Sequence, residues 1–236
     1  MNTAYFHTNE FLVLLVIISL LIGIFLSRLI VSIPKGMEDG WRKEYEDAES
    51  MPPLIHSQSV FTKMLVLVVT LISFSLVYLK VNTYFDLVIW LVFVSGLIAL
   101  AFIDYKYHLL PDQITMPFLW LGLLVNITGH IVPLKDAVLG AVFGYLVLFL
   151  GSQLYQLVRK NHGMGHGDFK LLAAIGAWLG WQSLHYIWLY SFLMFAISSL
   201  WLIGSKKYSA DSIVPFGPYL IFATMIVLFF NQPFTL

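Results

Sequence analysis

The chain has 236 residues, 59% of them hydrophobic and only 11% charged, against roughly 25% charged in an ordinary soluble domain. Lys and Arg (13) balance Asp and Glu (13), which leaves no electrostatic footprint for nucleic acid or another polyanion. The absence of cysteine excludes a disulfide framework, a thiolate zinc site and a cysteine nucleophile.

A mean hydropathy of +0.84 and recurrent apolar runs of about 20 residues predict an all-α, polytopic integral membrane protein. In chain order the runs are Phe11–Ile30, Phe61–Leu79, Tyr84–Ile103, Ile114–Val132, Ala137–Val158, Phe169–Trp181, Leu184–Ile203 and Val214–Phe230, or about eight transmembrane helices. The sixth is short. Its roughly 13 residues cover about 20 Å of a hydrocarbon core near 30 Å, as a partial or re-entrant helix would. The first run is too long for a signal-peptide core and has no basic leader or small-residue cleavage site, so it is expected to be retained.

Cations flanking short loops stay on the cytoplasmic side. An N-terminus outside puts Arg28, Lys35, Arg42, Lys43, Lys63, Lys106, Arg159, Lys160, Lys170, Lys206 and Lys207 inside, with only Lys80 and Lys135 outside. The first cytoplasmic loop, about 31–60, carries an acidic segment, Met37–Ser50, with Glu38, Asp39, Glu44, Glu46, Asp47 and Glu49 ahead of Pro52-Pro53. Two functions fit it: an exposed helix that solvates the loop, or an acidic collar for basic substrate segments.

Two carboxylates lie at the borders of apolar runs, where an ionisable group is costly unless paired, hydrated or functional. Asp104 ends the uncharged stretch Leu97–Ile103, and Asp168 opens the short sixth run after Gly165-His166-Gly167. Brought together, two such groups share one proton, because like charges about 3 Å apart cannot both ionise. One then activates a water and the other polarises a carbonyl. Gly165 and Gly167, lacking Cβ, would let a substrate backbone approach. A helix N-terminus favours Asp168 as the ionised partner.

Other assignments compete. Asp168 as a simple N-cap, and Asp104 as a juxtamembrane charge paired with Lys106 or Lys170, fit the same pattern. Asp112, between Pro111 and Ile114, has the position of a turn residue capping the fourth run. His162 and His166 share an i, i+4 spacing, but Gly163, Gly165 and Gly167 argue against a helix there, and no metal site is expected. No Ser and His surround a nucleophile elbow.

The segments Phe102-Ile103-Asp104, Leu109-Leu110-Pro111-Asp112 with Thr115, and Gly163-Met164-Gly165-His166-Gly167-Asp168-Phe169-Lys170-Leu171-Leu172 resemble the type IV prepilin peptidases, GxGD aspartic proteases of the bacterial inner membrane. The likeness continues through Ala173–Trp181 and covers most of the chain from about Phe11. It implies that Asp104 and Asp168 are the catalytic pair; Gly165, Gly167 and Lys170 are expected at the substrate, the glycines for close approach and Lys170 in a structural or orienting role. It also implies a prepilin or type II secretion pseudopilin as substrate, cut on the cytoplasmic side after the Gly that ends its basic leader. No cofactor is needed for proteolysis.

Many members also N-methylate the new terminus with S-adenosylmethionine and carry two Cys pairs in the first cytoplasmic loop. This chain has no cysteine and a shortened loop, yet keeps Lys35-Gly36-Met37-Glu38 and Gly40-Trp41-Arg42-Lys43-Glu44, similar to the segment preceding those cysteines. S-adenosylmethionine is thus the methyl donor if that activity is retained. The expected division is an N-terminal two-helix part, residues 1–82, and a peptidase core, residues 83–236. A proton-coupled small transporter using the same two carboxylates is the alternative from another class. The Leu109–Asp112 and Phe169–Trp181 runs disfavour a preflagellin-type or presenilin-type enzyme.

Overall fold

A computed structural model describes residues 9–44, 58–159, 165–204 and 215–231. The expectations placed on Glu46, Asp47, Glu49, Pro52, Pro53, Lys160, His162, Gly163, Met164, Lys206 and Lys207 lie outside the described residues. The fold is all-α as expected, with no strand among the described residues. In order the helices are α1 (Asn9–Glu44), α2 (Val60–Tyr78), α3 (Tyr84–Tyr107), α4 (Asp112–Val125), α5 (Leu134–Arg159), α6 (His166–Leu179), α7 (Trp181–Gly204) and α8 (Gly217–Asn231), with a 3₁₀ turn at Asn126–Thr128. Among the described residues, five helices, α1, α2, α3, α5 and α7, are long and apolar enough to cross a membrane. Large apolar side chains such as Leu21, Phe25, Ile72, Leu150, Ile197 and Trp201 are exposed on their faces, the arrangement expected where lipid replaces water. Several buried hydroxyls bond back into their own helices, as Ser19 does to the Leu15 carbonyl (2.6 Å) and Thr70 to that of Val66 (2.8 Å), so these groups need no water.

The helices pack as two units, α1–α3 and α4–α8, divided after Pro111. In the N-terminal unit the Phe11 ring stacks on Tyr78 of α2 at 5.4 Å and meets Tyr84 of α3 at 5.3 Å. Farther along α1, Gly23 lies against Leu67 and Thr70 of α2. Local signals set the ends: Ser59 caps α2 by accepting from the Thr62 amide (3.2 Å), and Thr83 caps α3 by accepting from the Asp86 amide (3.1 Å). Helix α1 runs well past the expected Ile30, through Pro34, to Glu44. Its extension differs from a uniformly solvated acidic helix, because Glu38 is buried and its carboxylate accepts from Arg42 one turn on (3.0 Å).

In the C-terminal unit, α6 is the helix the others surround. From Leu171 to Leu179 every side chain is buried, which explains the shortness seen in the sequence. A helix that is apolar all round and enclosed by protein need not match the bilayer thickness. Helix α5 lies so close that a Cβ on Gly140 would overlap the Gly176 carbonyl, and one on Gly144 would sit 2.5 Å from the Leu172 carbonyl oxygen. This is the small-residue spacing that lets membrane helices touch backbone to backbone.

Helix α4 stops at Val125, short of the expected Val132. Asn126, fully buried, donates to the carbonyls of Ala177 (3.0 Å) and Trp178 (3.1 Å) and accepts from the amides of Ile131 and Val132 (both 3.0 Å). That one side chain closes the end of α6 and turns the chain, while Gly129 (φ 70°) supplies a left-handed step. Trp178 fits into the gap left by Gly122, and its indole donates to the Phe118 carbonyl (2.8 Å). Helices α7 and α8 join through Phe195 against Phe216 and Tyr219, and through the Ser198 and Tyr219 hydroxyls (2.7 Å).

Overpacking a tight contact costs about 1–3 kcal/mol. Gly176→Val is therefore expected to lower the melting temperature of the detergent-solubilised protein by several degrees. Gly151→Ala, where an added Cβ meets nothing within 4 Å, leaves it unchanged or raises it. Equal responses in thermal unfolding would contradict the close α5–α6 contact.

Candidate active site

Asp104 and Asp168 lie buried at the ends of apolar helices, one in each unit; Glu38, buried in the last turns of α1, is paired with Arg42. In the N-terminal unit, Asp104 occupies the last turn of α3 and is only 6% exposed. The turns that lead to it, Leu97 to Leu100 and then Ile103, are buried. The helix ends three residues later, at Tyr107. His108 adopts a left-handed conformation (φ 53°) and its amide donates to the Asp104 carbonyl (2.9 Å), after which Pro111 prevents continuation. Lys106, on the same turn, places its ammonium 4.9 Å from the Tyr107 ring centroid.

In the C-terminal unit, Asp168 lies in the first turn of α6 and is 7% exposed. The N-cap is Gly165, with no side-chain cap bond, and the Asp168 amide donates to its carbonyl (3.2 Å). Asp168 is therefore the third helical residue and not the cap, which answers one of the competing assignments. At that position its carboxylate faces the positive end of the helix dipole. A Cβ on Gly165 would come within 3.9 Å of Asp168 Oδ2, so the glycine leaves open the space next to the carboxylate. Gly167 is half-buried between them.

The next residue anchors the turn. Phe169 is buried against Tyr145 and Phe149 of α5, with ring centroids 6.0 and 6.1 Å away, and against His166 at 5.5 Å. His166 is itself exposed. No cluster of three His, Cys, Asp or Glu side chains suited to a metal occurs among the described residues.

Lys170 donates to both carboxylate oxygens of Asp112, each at 2.7 Å. Asp112 is the first residue of α4, so this ion pair joins the N-terminal ends of α4 and α6. It gives Asp112 a partner beyond its expected turn role, and gives Lys170 a partner other than Asp104. The sequence reading passed over Asn126 and Trp178, which fix the other end of α6. An Asn inside the run Leu123–Ile127 was the available signal, since a polar side chain within an apolar span needs partners.

The Asp112 and Lys170 side chains are 59% and 27% exposed, so solvent screens the pair and its coupling is expected to be below about 1 kcal/mol. A double-mutant cycle with Asp112→Asn and Lys170→Met, followed by thermal unfolding, measures it. A coupling of about 3 kcal/mol, the size of a buried pair, would contradict the exposed geometry.

Residues 91–200 match the model of the type IV leader peptidase family. The chain is 50% identical over 139 residues to the prepilin leader peptidase/N-methyltransferase of Aeromonas salmonicida (strain A449), a match covering 59% of this chain and 48% of the relative. It is 47% identical over 137 residues to the protein of the same name from Pseudomonas putida, covering 58% of this chain and 48% of the relative. Both of these matches span about half the length of the relative. A third, with the protein of the same name from Pseudomonas aeruginosa, is 33% identical over 274 residues and covers 97% of this chain and 93% of that one. No solved structure matches the chain. Because the last alignment runs nearly end to end in both proteins, and the family model spans the segments that carry Asp104 and Asp168, the chain belongs to the type IV leader peptidase family.

Proposed function

We propose that the protein is a membrane-embedded aspartic endopeptidase in which Asp104 and Asp168 form the catalytic pair. It removes the basic leader from a prepilin or pseudopilin of a type IV pilus or type II secretion system. The observation that carries this is the burial of Asp104 and Asp168 at the ends of α3 and α6, at 6% and 7% exposure. A structural charge in such a place is expensive, and two of them within the family's matched segment have a use that justifies the expense. The bacterial inner membrane is the proposed location, with the site on the cytoplasmic face where eleven of thirteen cations fall.

The chemistry follows from two carboxyls sharing one proton. Asp168, favoured as the anion by the α6 dipole, takes a proton from water as the oxygen adds to the scissile carbonyl carbon. Asp104, protonated, hydrogen-bonds the carbonyl oxygen and stabilises the charge that develops there. Collapse of the tetrahedral intermediate breaks the C–N bond, and the amine leaves with a proton returned by the pair. Gly165 and Gly167 admit the substrate main chain beside Asp168. Lys170 acts at one remove, by holding the start of α6 to α4 through Asp112. We propose residues 83–236 as the peptidase core and 1–82 as the N-terminal part.

N-methylation of the new terminus is proposed as a second step, with S-adenosylmethionine as methyl donor. It is supported by the names of the relatives and by the retained segments around Glu38 and Trp41. The alignment with the P. aeruginosa protein extends over 274 positions, more than the 236 residues of this chain, so the relative has residues this chain lacks.

Purified protein in detergent is expected to cut a model prepilin. Asp104→Asn and Asp168→Asn should each lose at least about 100-fold in rate, the range of general acid–base catalysis, while Asp112→Asn retains activity. Mass spectrometry of the product with S-adenosylmethionine present reads the methylation step as an added methyl group. Cleavage that survives either of the first two substitutions would overturn the mechanism.

A further inference from the structure

The N-terminal unit contains a buried polar side chain that the mechanism above does not use and whose polar atoms are both unmet. Gln58 stands just ahead of the α2 cap, is 6% exposed, and neither its Nε2 nor its Oε1 has a hydrogen-bond partner among the described residues. Burying an amide with donor and acceptor both unmet is among the costlier arrangements a protein can hold. Such a group calls for an explanation, and a functional role is one of the few available.

The packing of the unit places this side chain in depth. The Phe11 ring touches both Tyr78 and Tyr84, so the C-terminal end of α2 and the N-terminal end of α3 lie at one level. Gln58 precedes Tyr78 by twenty residues and Asp104 follows Tyr84 by twenty. At 1.5 Å per residue both therefore lie about 30 Å from the Phe11 level, in the same direction, because α2 and α3 are antiparallel neighbours. The contact of Gly23 with Leu67 and Thr70, between the two levels, shows that α1 and α2 keep this register along their length. A buried, unsatisfied amide and the buried carboxylate of Asp104 thus share the same end of one three-helix unit.

We propose that Gln58 binds substrate, its side-chain amide pairing with a main-chain peptide group next to the bond that is cut. A primary amide offers one acceptor and two donors on a planar group, the complement of a peptide unit in extended conformation. It would recognise main chain without regard to side chain, which suits a substrate whose sequence on one side of the cut is a variable basic leader. This inference rests on the proteolytic reading of Asp104.

Gln58→Met keeps the size of the side chain and removes both polar ends. It is expected to raise KM for a model prepilin about tenfold, the worth of one or two hydrogen bonds, with kcat within about twofold, the pattern of lost ground-state binding. The melting temperature should stay level or rise, because an unmet amide has been removed. If the Met variant does not fold, Gln58→Glu, which keeps the shape and the acceptor but loses the donor, is expected to raise KM in the same direction. A KM unchanged in a folded variant, beside a wild-type enzyme that cleaves, would overturn the role of Gln58 alone. A wild-type enzyme that does not cleave would overturn the proteolytic reading, and this inference with it.

Discussion

The close approach of α5 and α6 through Gly140, Gly144 and Gly176 is the contact on which the C-terminal unit depends. It lets a helix with no polar face be enclosed by protein backbone at a spacing no side chain would allow. With α5 in place, Phe169 finds Tyr145 and Phe149, Trp178 finds Gly122, and Asn126 meets the two carbonyls at the far end. The helix is thus pinned at start, middle and finish. A carboxylate in its first turn inherits that rigidity, which is what the proposed catalytic role asks of it.

The N-terminal unit solves a similar problem with different parts. Asp104 is held by the last buried turn of α3, and the left-handed His108 with Pro111 ends the helix just beyond it. In both units the carboxylate is at a helix terminus, where the backbone already presents unsatisfied groups and water can reach. The dipole works in opposite senses at the two places. Asp168 is at a helix N-terminus and Asp104 at a helix C-terminus, where the macrodipole presents its positive and negative ends respectively.

Much of this was legible in the residues. The apolar runs located the eight α-helices among the described residues, and the uncharged approach to Asp104 and the glycines before Asp168 singled out both carboxylates. What stayed hidden was pairing at a distance. Nothing in the spacing of Asp112 and Lys170 says that they bond, because only packing of α4 on α6 brings residues 58 positions apart together. Likewise the burial of Glu38, in a segment that reads as a solvated acidic helix, comes from the extension of α1 and its pairing with Arg42. The run through Val132 hid the end of α4 because Ile127, Ile131 and Val132 are as apolar as the helix before them. Asn126 begins the interruption that Thr128, Gly129 and His130 continue, and its four hydrogen bonds lie in three dimensions.

The central claim is that Asp104 and Asp168 act as a pair at one site. Because the chain contains no cysteine, that claim can be tested without background thiols. Asp104→Cys and Asp168→Cys are combined in one protein and treated in membranes with a short bifunctional thiol crosslinker. Asp112→Cys with Lys170→Cys serves as the positive control for reach. The account predicts an intramolecular crosslink in both double variants and in neither set of single variants. A crosslink in the control alone would show the two carboxylates to be apart, and would contradict a shared catalytic proton.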